Sequence, residues 1–359
     1  MRGIAFLGSS CAPKGRAGGL RIHQRPGRFI RAGSRVSHYS TRKVHPVTTR
    51  YGAISVDLFH SLAWKPALPA HLRDFHHLPA MKNWFTSQKG HVSFGDKLIF
   101  FADTSVNYEL ITASPGEMSS EPHAATDLQD LRNFQTWLGS HPEEKDDGST
   151  HQFIDFLIES MNSQQTGFQQ FEAPLRFIIR AQQFNGTDRD HRSRPIRQLY
   201  VAQHDIRSLP PAMAEDLPEP GIVTGVGRGD VYSSSIWLGL QPTYTSLHRD
   251  PNPNLFCQLV GRKVVRLLPP SVGLSVYQQV RRSLGEAGNP RFRGPEMMVG
   301  PERDALRRAV WADDEAEGEI LQAELEPGDA LFIPMGWWHS VASVGDEADL
   351  NASANWWFR

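Results

Sequence analysis

The sequence predicts a mainly β protein with flanking helices, whose C-terminal half forms a sandwich or barrel. After Arg197, short apolar segments follow one another at 197–203, 221–226, 234–240, 244–250, 254–260, 263–268, 319–325, 330–334, 339–344 and 350–358. Gly, Pro or Asn usually punctuates them, and many short strands at close spacing indicate a sheet architecture. Helical periodicity is read in the first half, at Leu128, Leu131, Phe134, Trp137 and Leu138, and again at Phe153, Ile154, Leu157 and Met161. With 39% hydrophobic residues and nine Trp, 359 residues can bury a sizeable core.

In chain order, residues 1–55 read as a basic leader and linker. Eleven Arg or Lys precede the first acidic residue, Asp57, and are interleaved with Gly, Ser and His. Such a start resembles a mitochondrial presequence, with a processing site near Arg35–Ser40. The matrix is therefore the expected location, with cytoplasm or nucleus as the alternative if this is merely a basic tail. Residues 56–196 form an N-terminal α/β portion. A short helix is expected near His71–Phe75 and strands at Lys97–Ala102 and Asn107–Thr112, and residues 113–126 read as a loop. His141–Ser149 is a solvated turn, and 184–195 is polar and exposed. The barrel spans 197–359, with a partly helical insertion at 271–318. An insertion of that length in a compact domain is commonly functional.

There are two cysteines, Cys11 and Cys257. The first lies in the leader, so no disulfide framework is possible in a processed chain, which suits a reducing compartment. No apolar run approaches the roughly 18 residues of a membrane span. Without the leader the chain is acidic, and charge gives no footprint for nucleic acid.

Two motifs carry chemistry. His248-Arg249-Asp250 lies near the end of the strand 244–250, where residues two apart share a face. By itself such a pair is what chance provides among 15 His. The second motif, P-G-D-A-L-F-I-P-M-G-W-W-H (327–339), is more specific: a turn launches a buried strand, Pro334 ends it, and His339 opens the next. Taken alone, His339 reads as a core histidine beside two packing tryptophans. Two imidazoles and one carboxylate on one face would leave about three coordination positions open, the facial arrangement of non-haem Fe(II) oxygenases. Zinc would accept the same ligands, so the metal stays open on this reading.

The stretch from about Tyr200 to Phe358 resembles a JmjC domain of the cupin-like group, which includes the asparaginyl hydroxylase known as factor-inhibiting HIF. The resemblance rests on H-R-D-P-N-P-N-L-F-C-Q-L-V-G-R-K-V-V-R-L-L-P-P (248–270), G-D-A-L-F-I-P-M-G-W-W-H (328–339) and A-N-W-W-F (354–358), with weaker similarity at 64–85. It implies a double-stranded β-helix, or jelly roll, of about eight strands. It also implies Fe(II) on His248, Asp250 and His339, with 2-oxoglutarate as cosubstrate and O2 as oxidant. Lys263, Thr245 and Tyr200 match the positions that anchor the distal carboxylate, and Asn254 and Asn355 match asparagines near its metal-bound end. In isolation Lys263 reads as an exposed strand lysine, Tyr200 as a packing tyrosine and Asn254 as a turn cap. An ideal strand puts Thr245 and His248 on opposite faces, so that match requires a bulge. Trp237 and Leu238 are expected to line the pocket.

The expected activity is hydroxylation of a protein side chain. A tRNA base, lysine demethylation and a non-catalytic metal-binding module are the alternatives. Relatives of this group often dimerise through a helical extension after the last strand. The sequence here stops at Arg359, which favours a monomer.

Overall fold

The computed structural model describes residues 44–88, 90–112, 125–142, 148–163, 167–187, 194–285, 298–312 and 319–359. The leader up to residue 43 lies outside them. So do most of the 113–126 loop, the centre of the 141–149 turn and the middle of the 184–195 segment.

Eight strands precede the jelly roll: β1 (Val44–Pro46), β2 (Thr49–Tyr51), β3 (Ala70–Arg73), β4 (Phe85–Gln88), β5 (His91–Phe94), β6 (Ser105–Ile111), β7 (Phe168–Pro174) and β8 (Leu199–Asp205). Eight more build it: β9 (Val231–Leu240), β10 (Tyr244–Arg249), β11 (Asn254–Val260), β12 (Arg262–Leu268), β13 (Ile320–Leu325), β14 (Ala330–Ile333), β15 (Trp338–Val344) and β16 (Leu350–Phe358). A five-stranded sheet runs β1-β13-β12-β15-β10, and a nine-stranded sheet runs β2-β3-β14-β11-β16-β9-β8-β6-β7. The last eight strands thus divide evenly, four to each sheet, and all their mutual pairings are antiparallel. This is the jelly-roll pattern. The sheets stay separate in hydrogen bonding, as a sandwich.

Side-chain alternation explains what fills the sandwich. Val265 and Leu267 of β12, Leu325 of β13 and Val341 of β15 pack against Phe256 of β11 and Leu331 and Ile333 of β14. Gly261, at φ 69°, makes the tight connection from β11 to β12 and has Asn351 and Leu350 against it. On the outer face of the larger sheet, Val106, Tyr108 and Leu110 of β6 are buried with Phe134 and Phe177 of the helices Leu128–Ser140 and Arg176–Thr187. The first of these helices starts with a capping box between Asp127 and Asp130.

Three local expectations are corrected. The segment at His71–Phe75 begins as strand β3, because it pairs with β14 and His71 is held by Asp329 at 3.0 Å. Asp96–Phe100 is a one-turn helix, not a strand: of its apolar run Leu98 is buried while Phe100 is exposed. Gly221–Gly225 is also helical, following Pro220 and burying Ile222 and Val223. Long-range packing decides all three, and local composition does not reveal it. Strand β7 and the helix after it, Arg176–Thr187, carried no clear periodic signal.

The insertion supplies two helices, Pro270–Ser283 and Pro301–Trp311. They cover the outer face of the smaller sheet through Val276, Val280, Leu306 and Val310, packed on Leu247 and Trp338. No described helix is long and apolar enough to cross a membrane.

Candidate metal and cosubstrate site

His248 of β10 and His339 of β15 are direct cross-strand partners. Their ring centroids lie 4.1 Å apart. Asp250 follows just beyond β10, with Oδ2 3.6 Å from His339 Nε2. One ligand atom from each of the three side chains lies within 4.8 Å of the others. This is the only such group of metal-ligating residues among the described residues. Each imidazole directs Nδ1 at the backbone carbonyl two residues earlier: Ser246 for His248 at 2.8 Å, and Trp337 for His339 at 3.4 Å. An Nδ1–H donating there leaves each Nε2 lone pair for a metal.

The larger sheet fixes the carboxylate. Asp250 Oδ2 accepts from Asn254 Nδ2 at 2.9 Å and from Trp357 Nε1 at 2.8 Å. Asn254 Oδ1 in turn accepts from Asn355 Nδ2 at 2.8 Å. Burial pushes the Asp250 carboxyl up, but the charge of the His339 and His248 imidazoles in their protonated, metal-free form, together with these two donors, outweighs it and holds it below the ordinary range. Asn355 Oδ1 is buried without a hydrogen-bond partner. A buried acceptor in that condition is suited to a ligand or water.

Lys263 stands on the inter-sheet face of β12, in line with Val265 and Leu267, and Leu267 pairs with His339. Four residues along a strand is roughly 13 Å, a distance for the lysine stem and a small dicarboxylate to share. The side chain crosses the sandwich, and its Nζ donates to Tyr200 Oη at 3.1 Å and Ser353 Oγ at 2.9 Å. Ser353 is two residues from Asn355 on the same face of β16, the face that also carries Trp357 to Asp250. Lys263 is only 2% exposed. Among the described residues it has no carboxylate partner, and burial pushes its ammonium down to about 7. A buried lysine with only hydroxyl partners among the described residues is costly, and an anionic ligand would offset that cost.

The bulge needed by Thr245 is present. β10 pairs Thr245 with Val341 and His248 with His339, so two residues face one on β15 between them. Val341 packs into the sandwich core, and cross-strand partners share a face, so Thr245 joins His248 on the inside. Thr245 and Tyr200 line one pocket together with Tyr244 and Met298. Met298 belongs to the insertion, whose helices otherwise lie on the outer side. Trp237 sits on the site face with Tyr200, Ala202 and Trp357, whereas Leu238 belongs to the outer core.

Ser353 and Trp357 are the contributors the sequence reading did not single out. Their signal is the two-residue alternation of β16, which puts 353, 355 and 357 on one face.

The chemistry of this donor set fits the expected groups. Two neutral imidazoles and one carboxylate suit Fe(II), and a buried cation with two hydroxyls suits a distal carboxylate.

The match of the family model for the cupin-like domain covers residues 66–359. Curated relatives include lysine-specific demethylase 8 of Danio rerio, 29% identical over 160 residues, which is 44% of this chain and 36% of that protein. Jumonji C domain-containing protein 5 of Drosophila melanogaster is 30% identical over 161 residues, with 44% and 36% covered. Lysine-specific demethylase JMJ31 of Arabidopsis thaliana is 31% identical over 169 residues, with 45% and 28% covered. The matched region thus spans about a third of the length of these relatives. Their names place the similarity among JmjC proteins at large and do not single out the factor-inhibiting-HIF subgroup. By its jelly-roll topology and the match over residues 66–359, this chain belongs to the cupin-like family, in its JmjC branch.

Proposed function

We propose that this protein is an Fe(II)- and 2-oxoglutarate-dependent oxygenase that hydroxylates a protein side chain. The observation that carries the reading is the pairing, inside one sandwich, of the His248–Asp250–His339 group with a buried Lys263 that has no carboxylate partner among the described residues. A metal-binding cupin with no dicarboxylate cosubstrate has no use for such a lysine.

Iron bound by His248, Asp250 and His339 supplies the oxidation: 2-oxoglutarate, O2 and a substrate C–H bond become succinate, CO2 and an alcohol. The chain's own residues orient and protect that chemistry. Carbonyl acceptors at Ser246 and Trp337 fix the imidazole tautomers, and Asn254 and Trp357 fix the Asp250 carboxylate. Lys263, Tyr200 and Thr245 hold the distal carboxylate, and Asn355 Oδ1 offers an acceptor near the metal end. Phe256, whose ring centroid is 5.2 Å from Lys263 Nζ, helps keep water from the ammonium.

Incubation with Fe(II), ascorbate and 2-oxoglutarate should yield succinate, faster in the presence of a peptide substrate, and His248→Ala should abolish it. Equal turnover in that variant would remove the assignment. Lysine demethylation is the second reading, supported by the names of two of the relatives above. Mass spectrometry separates the two, because hydroxylation adds an oxygen whereas demethylation removes a methyl group and releases formaldehyde. We further propose the mitochondrial matrix as the place of action, on the strength of the basic leader. Fractionation of cells expressing the full chain tests it, and a purely cytosolic or nuclear pool would refute it.

A further inference from the structure

We infer that Gly239 is a positioning residue for cosubstrate binding, acting by leaving the space that lets the Tyr200 ring lie over β9 and present its hydroxyl to Lys263. The inference rests on the oxygenase reading above. Tyr200 and Gly239 are direct cross-strand partners in β8 and β9. A Cβ built on Gly239 would come within 2.2 Å of Tyr200 Cδ2, 2.9 Å of its Cε2 and 3.1 Å of Thr243 Cγ2. Contacts that short are not tolerated, so the ring itself would have to move.

The ring is not free to move cheaply. Its hydroxyl accepts from Lys263 Nζ at 3.1 Å, and its centroid lies 5.6 Å from the Trp237 ring and 5.6 Å from the ammonium. The atoms hit first belong to the middle of the ring, not to the end of a flexible chain. Rotation about χ1 that clears a methyl group carries Oη away from Lys263, whereas rotation about χ2 leaves Oη on its axis and must instead change the ring's contact with Trp237. The backbone at 239 requires no glycine of its own, since its φ is not in the left-handed region. The absence of a side chain is therefore explained by the neighbour across the strand. Glycines opposite aromatic rings in antiparallel pairs are shielded by them, and here the shielding ring is also a ligand group.

The displaced ring matters because Lys263 has two hydroxyl partners and no acid. Losing Tyr200 Oη leaves Ser353 alone on the ammonium and removes one donor to an incoming carboxylate. The effect should fall on 2-oxoglutarate and leave the metal ligands untouched, since Gly239 contacts none of them.

The test is calorimetric titration of 2-oxoglutarate into full-length protein loaded with Mn(II), with Mn(II) affinity measured separately. Gly239→Ala should weaken 2-oxoglutarate binding at least tenfold while Mn(II) affinity stays close to that of the parent. Tyr200→Ser removes the ring and should weaken binding by itself. In that background, adding Gly239→Ala should cost less than threefold further. Parent-like binding by Gly239→Ala would overturn the inference. So would an equal cost of Gly239→Ala with and without the ring, since the methyl would then act elsewhere, for example on Thr243. If Gly239→Ala melts early, the double variant decides: recovery of its melting temperature supports a ring clash, and no recovery contradicts it. Failure of the parent protein to bind 2-oxoglutarate would instead refute the oxygenase reading.

Discussion

Replacing Lys263 by methionine should make the ligand-free protein more stable and leave it unable to hold 2-oxoglutarate. The ammonium is lowered from 10.5 to about 7 by burial, with only two hydroxyls as partners. A depression of that size corresponds to roughly 5 kcal/mol of destabilisation at acid pH, as an upper bound. The sign follows from the protons bound. Below about pH 7 folded and unfolded chains both carry the charge, and the burial penalty is complete. Between about 7 and the ordinary lysine range the unfolded chain holds a proton that the folded one lacks, so stability rises with pH. From about pH 6 to about pH 9 the gain from this one group is on the order of 2–3 kcal/mol. Lys263→Met, of similar length and apolar, has no such dependence. Urea unfolding of both proteins at the two pH values should therefore show the variant more stable, by a margin that shrinks as pH rises. The same substitution should weaken 2-oxoglutarate by 2–5 kcal/mol, about thirtyfold to several thousandfold, as expected when one partner of a buried charge pair is truncated. A variant less stable than the parent at pH 6, or one that binds 2-oxoglutarate as tightly as the parent, would refute the reasoning.

Other expectations follow from the same geometry. Cosubstrate affinity should itself fall as pH rises above about 7, by up to tenfold per unit, because binding a dianion requires the protonated lysine; calorimetry in buffers of different ionisation enthalpy should show proton uptake. Trp357→Phe and Asn254→Ala each remove a donor to Asp250 Oδ2 and should lower metal affinity by about 10- to 100-fold, read by competition with a chelating dye, whereas unchanged affinity would show that the carboxylate needs no clamp. Gly273→Ala should destabilise by about 1–3 kcal/mol in chemical unfolding, since a Cβ there meets the Trp338 ring at 2.2 Å on the outer side of β15. Asp329 accepts from the backbone N–H groups of Asp74 and Glu326 and pairs with His71, which outweighs burial and holds its carboxyl below the usual range. Its contribution should be present at neutral pH and lost as pH falls through that lowered value, and Asp329→Ala should flatten the acid limb of the stability profile.

The parts of this fold that could be read in the sequence are those where local pattern and tertiary role coincide. The eight jelly-roll strands are short, apolar and punctuated, and their boundaries were expected to within a few residues. His248 and Asp250 share a face through ordinary alternation, and the meeting with His339 followed from two motifs with a buried strand before the second. Thr245 marks the edge of that legibility. Strand periodicity put it on the wrong face, and only its match to a family position demanded the bulge that β10 shows between Thr245 and His248. The helix expected near His71–Phe75 and the strand expected at Lys97–Ala102 do not form, because β3 takes its form from pairing with β14, and Phe100 remains exposed although the run around it is apolar. The insertion is expected to be functional on its length alone, and Met298 does reach the pocket lined by Tyr200 and Thr245. Its helices cover the back of the smaller sheet, an outcome set by Leu247 and Trp338, which lie far away in sequence. The Asn355–Asn254–Asp250 chain of hydrogen bonds, with Trp357 closing it, depends on register between β11 and β16 and could not be inferred from spacing along one strand.

The space between the two sheets is expected to bind a metal at His248, Asp250 and His339 and a dicarboxylate that reaches from it to Lys263. An anaerobic crystal structure with Mn(II) and 2-oxoglutarate tests it most directly. The metal should lie roughly 2.1 Å from Nε2 of His248, Nε2 of His339 and one oxygen of Asp250, with the distal carboxylate in hydrogen-bond contact with Lys263 Nζ. Metal bound elsewhere, or a cosubstrate that leaves Lys263 with only Tyr200 and Ser353, would contradict the account.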